Sequence, residues 1–414
     1  MQRYPAVSGR FLLFEASDFV SYPAGGQLTM ARHIMAAFPG EVALVGVDTD
    51  RSIPIGSWQT KVVDGVAYPF FALRHVTPSR RRPWIPARLS TFAALQRHRE
   101  AIWAGGIRHA FCQGQETLLA IARWPWASLC YDFPGVANPL AISRYPWARP
   151  LAASFDSVFF RALRHADAVL ATADATAIAE MAQRSSGVVD PARVTVWPTR
   201  VDTSIFHPGD IAAARQATGL PADASVLVTT GRVNWFKGWP LLLDCLAQGD
   251  PKWRLVFVGD GEDRDALLGK ARSMGLQDRV VVTGFCSPRE VADYIRAADV
   301  FVMASFHEGF STAMLEALAC GTPIVSTAVS SATTIITEGV TGHVVPERDP
   351  LDYSAAIRSA MAMPRKEVGA HSMSRVGNYA TSNIRADLRR AWPALSQALR
   401  REAAGWRLPV WELP

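Results

Sequence analysis

Two glutamates, Glu308 and Glu316, lie eight residues apart in a segment that is rich in small and apolar residues. A carboxylate on a loop and a second one on a helix at this spacing can hold two distant parts of one polar ligand. In an arbitrary sequence such a pair usually consists of two solvated surface charges, but the apolar surroundings here favour a binding role. We therefore expect both carboxylates to contact a polar ligand.

The residues around this pair predict a strand, a loop and a helix in that order. Residues 298–305 indicate a short buried strand, Ser311 or Thr312 can cap a helix, and Gly321 and Pro323 end it. The N-terminus of such a helix presents free backbone N–H groups and a partial positive charge, which favour a phosphate. The sequence thus predicts an anion site at this corner.

A second cluster combines two cations with two glycines directly after the predicted strand 226–230. Arg232 and Lys237 lie five residues apart, beside Gly231 and Gly238, which allow close approach of the backbone. The guanidinium can form paired hydrogen bonds with phosphate oxygens, and the ammonium can act as a point charge on the same group. A diphosphate is the natural ligand, although two isolated cations on a surface loop would have no such role.

Together the two clusters resemble the signature of the retaining glycosyltransferases of family four, which have the GT-B fold. The matching residues are Gly231-Arg232-x4-Lys237-Gly238 and Glu308-Gly309-Phe310-x4-Leu315-Glu316-Ala317-x2-Cys320-Gly321-x-Pro323. Similar segments lie at 196–208, 257–261 and 282–285. In the N-terminal half only Ala24-Gly25-Gly26-Gln27, after the predicted strand 11–14, resembles the family's glycine loop.

The resemblance implies an α/β chain with the GT-B fold, in which two Rossmann-like domains face a central cleft. A proline-rich, turn-forming stretch near Trp197 to Pro208 separates residues 1–198 from residues 199–380. By resemblance the first is an acceptor-side domain, the second a nucleotide-sugar-binding domain, and 381–414 a C-terminal helix and tail that cross back to the first domain. The length of 414 residues favours two domains. Alternation of strand-like and helical segments favours parallel α/β sheets.

The resemblance also implies a nucleotide-diphosphate-sugar donor, a UDP- or GDP-sugar in the simplest case, and no other cofactor. Glu316 would bind the ribose hydroxyls, Glu308 the donor sugar, and backbone near Phe285 the base. Cations and helix N–H groups would stabilise the departing diphosphate in place of a metal ion, and no residue spacing indicates a metal site. The expected catalytic residues are Arg232, Lys237, Glu308 and Asp132, and the expected donor-binding residues are Gly25, Gly26, Gly231, Phe285, Gly309, Phe310, Ser311 and Glu316.

The sequence departs from the family pattern at two places. Thr199-Arg200 replaces the Asn-Gly of many relatives, and Tyr131-Asp132 replaces their His-Asp. The resemblance implies retention of configuration by attack on the same face of the sugar. The rival is double displacement through a carboxylate nucleophile, for which Asp132 and Glu308 are the candidates.

The predicted reaction transfers a hexose or related sugar to a glycan or lipid-linked saccharide acceptor, in envelope, exopolysaccharide or lipopolysaccharide biosynthesis. One alternative is a nucleotide-sugar 2-epimerase on the same fold, which would consume donor without an acceptor. Another is a non-enzymatic two-domain sugar-binding protein. The lack of a signal peptide and the phosphate-directed pair Arg232 and Lys237 disfavour that alternative.

Basic residues are concentrated between Arg74 and Arg108, where only Glu100 is acidic and Trp84 and Trp103 are interleaved. This segment could dock on anionic lipid headgroups, bind an anionic glycan or form a solvated face. Nucleic acid is not an expected partner because no recognition module accompanies it. Five scattered cysteines and the lack of a long apolar stretch indicate a cytoplasmic protein, which could bind the inner face of the plasma membrane.

Overall fold

A computed structural model describes residues 7–23, 25–78, 86–135, 138–141, 146–173, 175–329 and 331–397. The chain divides into two compact units. The first unit comprises Met1–Pro198 and Ile384–Pro414, and the second comprises Thr199–Asn383. The second unit is therefore one continuous segment, whereas the first is formed from both ends of the chain.

The first unit contains, within its described residues, an eight-stranded sheet in the order β3-β4-β2-β1-β5-β6-β7-β8. All neighbouring strands pair in parallel except β3 and β4, which form an antiparallel hairpin. Its strands are β1 Phe11–Phe14, β2 Val42–Asp48, β3 Trp58–Val63, β4 Val66–His75, β5 His109–Cys112, β6 Ser128–Phe133, β7 Ala168–Ala171 and β8 Val194–Val196. The helices up to residue 198 are α1 Gly26–Ala37, α2 Ala87–Arg97, α3 Arg99–Trp103, α4 Gln115–Ile121, α5 Ala152–Leu163 and α6 Ala175–Arg184.

The sheet of the first unit is buried on both faces, as is usual for parallel sheets. Alternate residues of β1 point to opposite sides, so Leu12 and Phe14 join one hydrophobic cluster while Phe11 and Leu13 join the other. The apolar run of β1 in the sequence reflects this double burial. The polar residues that follow such a strand are placed at the carboxyl edge of the sheet.

The second unit contains, in its described residues, a six-stranded parallel sheet in the order β11-β10-β9-β12-β13-β14. Strand order reverses between the neighbours β9 and β12, and ligands of such folds bind outside the strand ends at this point. Its strands are β9 Ser225–Thr230, β10 Trp253–Val258, β11 Val280–Val282, β12 Val300–Met303, β13 Ile324–Thr327 and β14 Gly342–Val345. Its helices are α7 Ile211–Thr218, α8 Trp239–Gln248, α9 Arg264–Ser273, α10 Pro288–Ala297, α11 Thr312–Ala319, α12 Ala332–Ile335, α13 Pro350–Met361 and α14 Arg365–Val376.

Helix α15 (Ile384–Ala391) also belongs to the first unit. Leu388, Trp392 and Leu395 are fully buried in one of its two clusters, and Trp392 Nε1 donates a hydrogen bond to Ser128 Oγ at 2.9 Å. The helical run is interrupted at Trp392, immediately before Pro393, because proline lacks the N–H that a helix interior needs. Residues 398–414 of the predicted C-terminal helix and tail lie outside the described residues.

The predicted α/β class is confirmed in both units, since helices alternate with parallel strands in each. The segment predicted as a strand at 298–305 forms the shorter and fully buried β12. The predicted helix after it is α11, which begins after its cap Ser311. These two elements carry most of the candidate site.

Candidate active site

The loop after β9 forms one wall of a pocket in the second unit. Gly231 has a φ of +116°, and the following residues lead into a 3-10 turn, Trp235–Lys237, which the Asn234 side chain caps. The pocket is lined by Thr229, Thr230, Gly231, Arg232, Val233, Asn234, Lys237, Trp239 and Phe257. Gly231, Arg232 and Lys237, which the sequence grouped as a phosphate site, therefore line the same pocket.

Backbone of the β10 loop approaches this wall so closely that side chains are excluded. A Cβ atom on Gly259 would lie 2.0 Å from the carbonyl oxygen of Gly231, and one on Gly261 would lie 2.1 Å from that of Val233. The Val233 N–H also donates to the carbonyl oxygen of Asp260 at 3.0 Å. The glycines at 259 and 261 thus allow two loops to form one continuous wall.

Lys237 and Glu308 meet although 71 residues separate them in the chain. Lys237 Nζ lies 2.7 Å from Glu308 Oε1, and Ser305 Oγ donates to the same oxygen at 2.6 Å. Glu308 lies on the loop between β12 and α11. The structure therefore joins the two sequence clusters through an ion pair at the switch point of the sheet.

Glu316 lies on α11, in the second half of that helix. Its side chain is partly buried, and desolvation raises its pKa from 4.5 to about 8, while the charge of Lys237 acts in the opposite direction. The carboxyl group therefore carries its proton at neutral pH. In this form it can both donate and accept a hydrogen bond.

The N-terminus of α11 offers backbone donors. Within the described part of the chain, four backbone N–H groups donate no hydrogen bond: those of Gly309, Phe310, Thr312 and Ala313. The Ser311 N–H, by contrast, donates to Ser331 Oγ at 3.0 Å. An anion at this end of the helix would find several free N–H groups.

The side chains of Phe310 and Ser311 have structural roles. Phe310 is buried in the core and packs against Tyr379, with ring centroids 5.4 Å apart. The Ser311 hydroxyl accepts a hydrogen bond from the Met314 N–H and so caps the helix. Any contact of these residues with a donor would therefore involve backbone atoms, and their predicted binding role stays a prediction.

Phe285 follows β11 and is 78% exposed. The ends of β10 and β11 are joined here, because the Gly259 N–H donates to Thr283 Oγ1 at 3.3 Å. Phe285 is thus placed at the carboxyl edge of the sheet that also carries Gly231. Its predicted contact with the base stays a prediction.

Three predicted site residues belong to the first unit. Gly25, with a φ of +154°, and Gly26 stand at the N-terminus of α1, while Ala24 lies outside the described residues. Asp132 is fully buried in β6, and Gln113 Nε2 donates to its Oδ2 at 3.0 Å. Desolvation raises the pKa of Asp132 to about 7, against the lowering effect of hydrogen bonds from Gln113 and Thr172.

Sequence reasoning missed a second acidic residue near Asp132. Glu15 directly follows β1 and is 7% exposed, and desolvation followed by the charge of Glu116 raises its pKa to about 8. Gln113 occupies the same position after β5. The available signal was a polar residue immediately after a buried apolar strand, which places it at the carboxyl edge.

The segment from Arg74 to Arg108 is partly packed. The Arg108 guanidinium lies 3.8 Å from the centre of the Trp103 ring and donates to the Trp103 carbonyl oxygen at 2.9 Å. Burial lowers the pKa of Arg74. Arg80, Arg81, Arg82 and Trp84 lie outside the described residues.

Four of the five free cysteines are buried and Cys286 is partly exposed. Among the described residues, no group of three or more His, Cys, Asp and Glu side chains could hold a metal ion. In the same part of the chain, no helix combines the length and the hydropathy that crossing a membrane requires.

Comparison with known proteins places this geometry in a family. Residues 210–382 match the family described as Glycosyl transferases group 1. A D-inositol 3-phosphate glycosyltransferase of Kribbella flavida is 35% identical over 302 residues, which are 68% of this chain and 69% of that protein.

Two solved structures share the fold. Sucrose-phosphate synthase from Thermosynechococcus elongatus has a TM-score of 0.73 at 22% identity and covers 96% of this chain and 100% of its own. HepE of Anabaena, solved with UDP and glucose, has a TM-score of 0.70 at 17% identity and covers 93% of this chain and 99% of its own. The chain therefore has the GT-B fold and belongs to the group 1 glycosyl transferases.

Proposed function

We propose that this glycosyltransferase moves a hexose or related sugar from a nucleotide-diphosphate-sugar donor to an acceptor hydroxyl with retention of configuration and without a metal ion. The observation that carries the proposal is the ion pair of Lys237 with Glu308 beside the pocket lined by Arg232. Cations on one side and a carboxylate on the other suit a ligand that has a phosphate end and a hydroxyl-rich end.

The diphosphate occupies the cationic wall in this proposal. Breaking the bond between the sugar C1 and oxygen builds negative charge on the diphosphate. Arg232, Lys237 and the N–H groups at the start of α11 then stabilise that charge without rearrangement. The roles of Gly25 and Gly26 in the same step rest on the resemblance and stay predictions.

Glu308 binds hydroxyls of the donor sugar, and its pairing with Lys237 and Ser305 on one oxygen orients the carboxylate. We infer that the departing phosphate oxygen takes the acceptor proton during attack on the same face. Glu308 and Asp132 are the candidates for a covalent nucleophile in the rival mechanism. Mass spectrometry of the parent protein, Glu308→Gln and Asp132→Asn, each incubated with donor, tests it. A glycosyl-enzyme that accumulates in the parent and is lost in one of the two variants would contradict same-face attack.

Glu316 binds the ribose hydroxyls. Because burial keeps its proton in place at neutral pH, the carboxyl group can donate to one hydroxyl and accept from another. Neutral hydrogen bonds of this kind also avoid placing a second buried charge near the diphosphate. Backbone near Phe285 contacts the base.

The acceptor is a glycan or lipid-linked saccharide in this proposal, and envelope or exopolysaccharide assembly is the setting. A second candidate is a small phosphorylated polyol, because the Kribbella flavida relative is named for D-inositol 3-phosphate. A 2-epimerase would consume the donor when no acceptor is present. A non-enzymatic sugar-binding protein would bind the donor without turning it over.

Cytoplasmic location and docking of the Arg74 to Arg108 segment on an anionic membrane remain part of the proposal. The Arg108 guanidinium stacks on Trp103, so this side chain is less available for contact with lipid headgroups. Co-sedimentation with phosphatidylglycerol vesicles tests the docking, and binding equal to that of phosphatidylcholine vesicles would contradict it.

The deciding experiment begins with thermal shifts against UDP, GDP, ADP, CDP and dTDP in EDTA, with Arg232→Ala as the matched variant. A nucleotide at about 100 times its Kd adds roughly 2.7 kcal/mol to the free energy of unfolding. The protein is then incubated with the matching nucleotide-sugar donor and with either D-inositol 3-phosphate or a lipid-linked saccharide as acceptor. The first donor is UDP-glucose, because HepE was solved with UDP and glucose. NMR of the product's anomeric centre reports the configuration. Inversion, or no stabilisation by any nucleotide, would contradict the proposal.

A further inference from the structure

Three side chains from separate parts of the second unit form a column beside the Lys237 and Glu308 pair. The rings of Trp235 and Phe306 are stacked, with centroids 4.3 Å apart and planes 11° apart. The Arg348 guanidinium lies 3.7 Å from the centre of the Phe306 ring. Because both partners are at stacking distance, they occupy opposite faces of Phe306, which is enclosed between an indole and a cation.

This column joins the two segments that carry the ion pair. Trp235 lies two residues before Lys237 on the 3-10 turn, and Phe306 lies two residues before Glu308 on the loop after β12. The Phe306 N–H also donates to the carbonyl oxygen of Phe236 at 2.9 Å. The turn and the loop are therefore connected by a backbone hydrogen bond, a ring stack and the ion pair itself.

Arg348 anchors the far end of the column to the end of β12. Its Nη1 donates to the carbonyl oxygens of Ala304 at 2.8 Å and Ser305 at 3.2 Å. The backbone at Gly238, which follows Lys237, packs on the same Ala304 carbonyl, where an added Cβ would lie 1.7 Å from the oxygen. The column thus rests on backbone that is fixed by the sheet.

Burial alone does not account for this arrangement, because Trp235 remains 54% exposed. The hydrophobic gain of the buried half of this side chain has no preferred direction, whereas flat stacking and a cation over a ring give directional contacts. Directional contacts are suited to holding an angle and a distance. The same turn and loop carry two groups that need such control, Lys237 Nζ and Glu308 Oε1, which lie 2.7 Å apart.

We propose that Trp235, Phe306 and Arg348 are positioning residues that hold the Lys237 ammonium and the Glu308 carboxylate in the geometry that the transfer step needs. This inference rests on the proposed function of that pair. Preorganised charges stabilise developing charge without rearrangement. A side chain that contacts the substrate keeps such a fixed position only when neighbouring residues hold it in place. The stack contributes that support without contact to the donor.

The first test reads the position of Lys237 without any activity assay. The protein is treated briefly with acetic anhydride, and peptide mass spectrometry compares modification of Lys237 with that of the exposed Lys252. In Phe306→Leu, which keeps an apolar side chain but loses the flat face, we expect Lys237 to react about threefold faster because its ion pair is loosened. Unchanged reactivity of Lys237 in the folded variant would overturn the proposal.

The second test separates positioning from binding. With the nucleoside diphosphate found to bind the parent protein, Trp235→Leu and Phe306→Leu are expected to change its Kd less than about twofold and to lower kcat about tenfold, as small misplacements of reacting groups do. Trp235→Phe, which keeps a stacking ring, should restore most of kcat. Met373→Ala, an exposed apolar residue of the same unit, is the control.

A background that lacks both members of the ion pair, Lys237→Ala with Glu308→Gln, completes the design. If the stack acts through the pair, adding Phe306→Leu to this background lowers the residual kcat little further, whereas a full independent loss would overturn the proposal. A parent protein that binds no nucleotide would refute the proposed function. The reactivity of Lys237 would then still decide whether the stack holds the ion pair.

Discussion

Replacing Glu316 with glutamine tests the origin of its raised pKa. Burial moves this pKa from 4.5 to about 8, so the folded protein keeps a proton that the unfolded chain releases above pH 4.5. Since the folded state binds more protons between these pH values, the stability of the parent relative to Glu316→Gln falls as pH rises from about 4.5 to about 8 and is level above pH 8.

The magnitude follows from the size of the shift. At about 1.4 kcal/mol for each pH unit, a shift from 4.5 to about 8 sets a ceiling on the order of 5 kcal/mol. The side chain is only partly buried and Lys237 lies near it, so solvent and that charge reduce the effect. We expect Glu316→Gln to match the parent near pH 4.5 and to exceed its free energy of unfolding by about 2 kcal/mol at pH 8.5.

Urea titrations at the two pH values measure this difference, with Glu347→Gln, an exposed carboxyl of the same unit, as the control. A Glu316→Gln protein that is no more stable than the parent at pH 8.5 would refute the desolvation argument. Adding the nucleoside diphosphate separates stability from function. We expect the variant to bind it about tenfold more weakly because a ribose hydrogen bond is lost, and unchanged binding would refute the ribose contact.

Three further predictions concern other parts of the structure. We expect Lys237→Ala to lower kcat more than it raises donor KM, since its contact strengthens as charge develops on the leaving group; steady-state kinetics that show an unchanged kcat would refute this role. Gly238→Ala should lower the melting temperature more than Gly219→Ala, because both glycines have a φ near +67° but only at position 238 does an added Cβ collide with backbone; equal melting temperatures would be inconsistent with the collision. Trp392→Ala should destabilise the first unit by about 3 to 5 kcal/mol in a urea titration, because it empties a fully buried site; a loss below about 1 kcal/mol would contradict that packing.

The α/β class and the phosphate-directed cluster could be predicted because their signals are local. Buried parallel strands give continuous apolar runs, and the glycines beside Arg232 and Lys237 are neighbours in the sequence. The residues around Glu308 and Glu316 likewise predict that the first lies on a loop and the second on the helix that follows. Each of these patterns spans no more than about one strand and the helix after it, and over such short segments the sequence determines the local structure closely.

The remainder of the site depends on contacts between distant segments. Glu308 and Lys237 pair only because β9 and β12 are neighbours in the sheet, which no local pattern states. Phe310 matched the family motif, yet the structure uses its ring for packing. The raised pKa of Glu15 comes from burial, which depends on what covers the end of β1 after folding.

The division of the first unit between both ends of the chain has a consequence for its synthesis. Strands β1 to β8 leave the ribosome first, but Trp392 and Leu395, which share the cover of one side of their sheet with α1, follow the whole second unit. At about 5 to 20 residues per second, their part of that side stays uncovered for roughly 10 to 40 seconds. The nascent sheet is therefore a natural client for a chaperone, while the continuous segment Thr199–Asn383 can complete its own fold during the same interval.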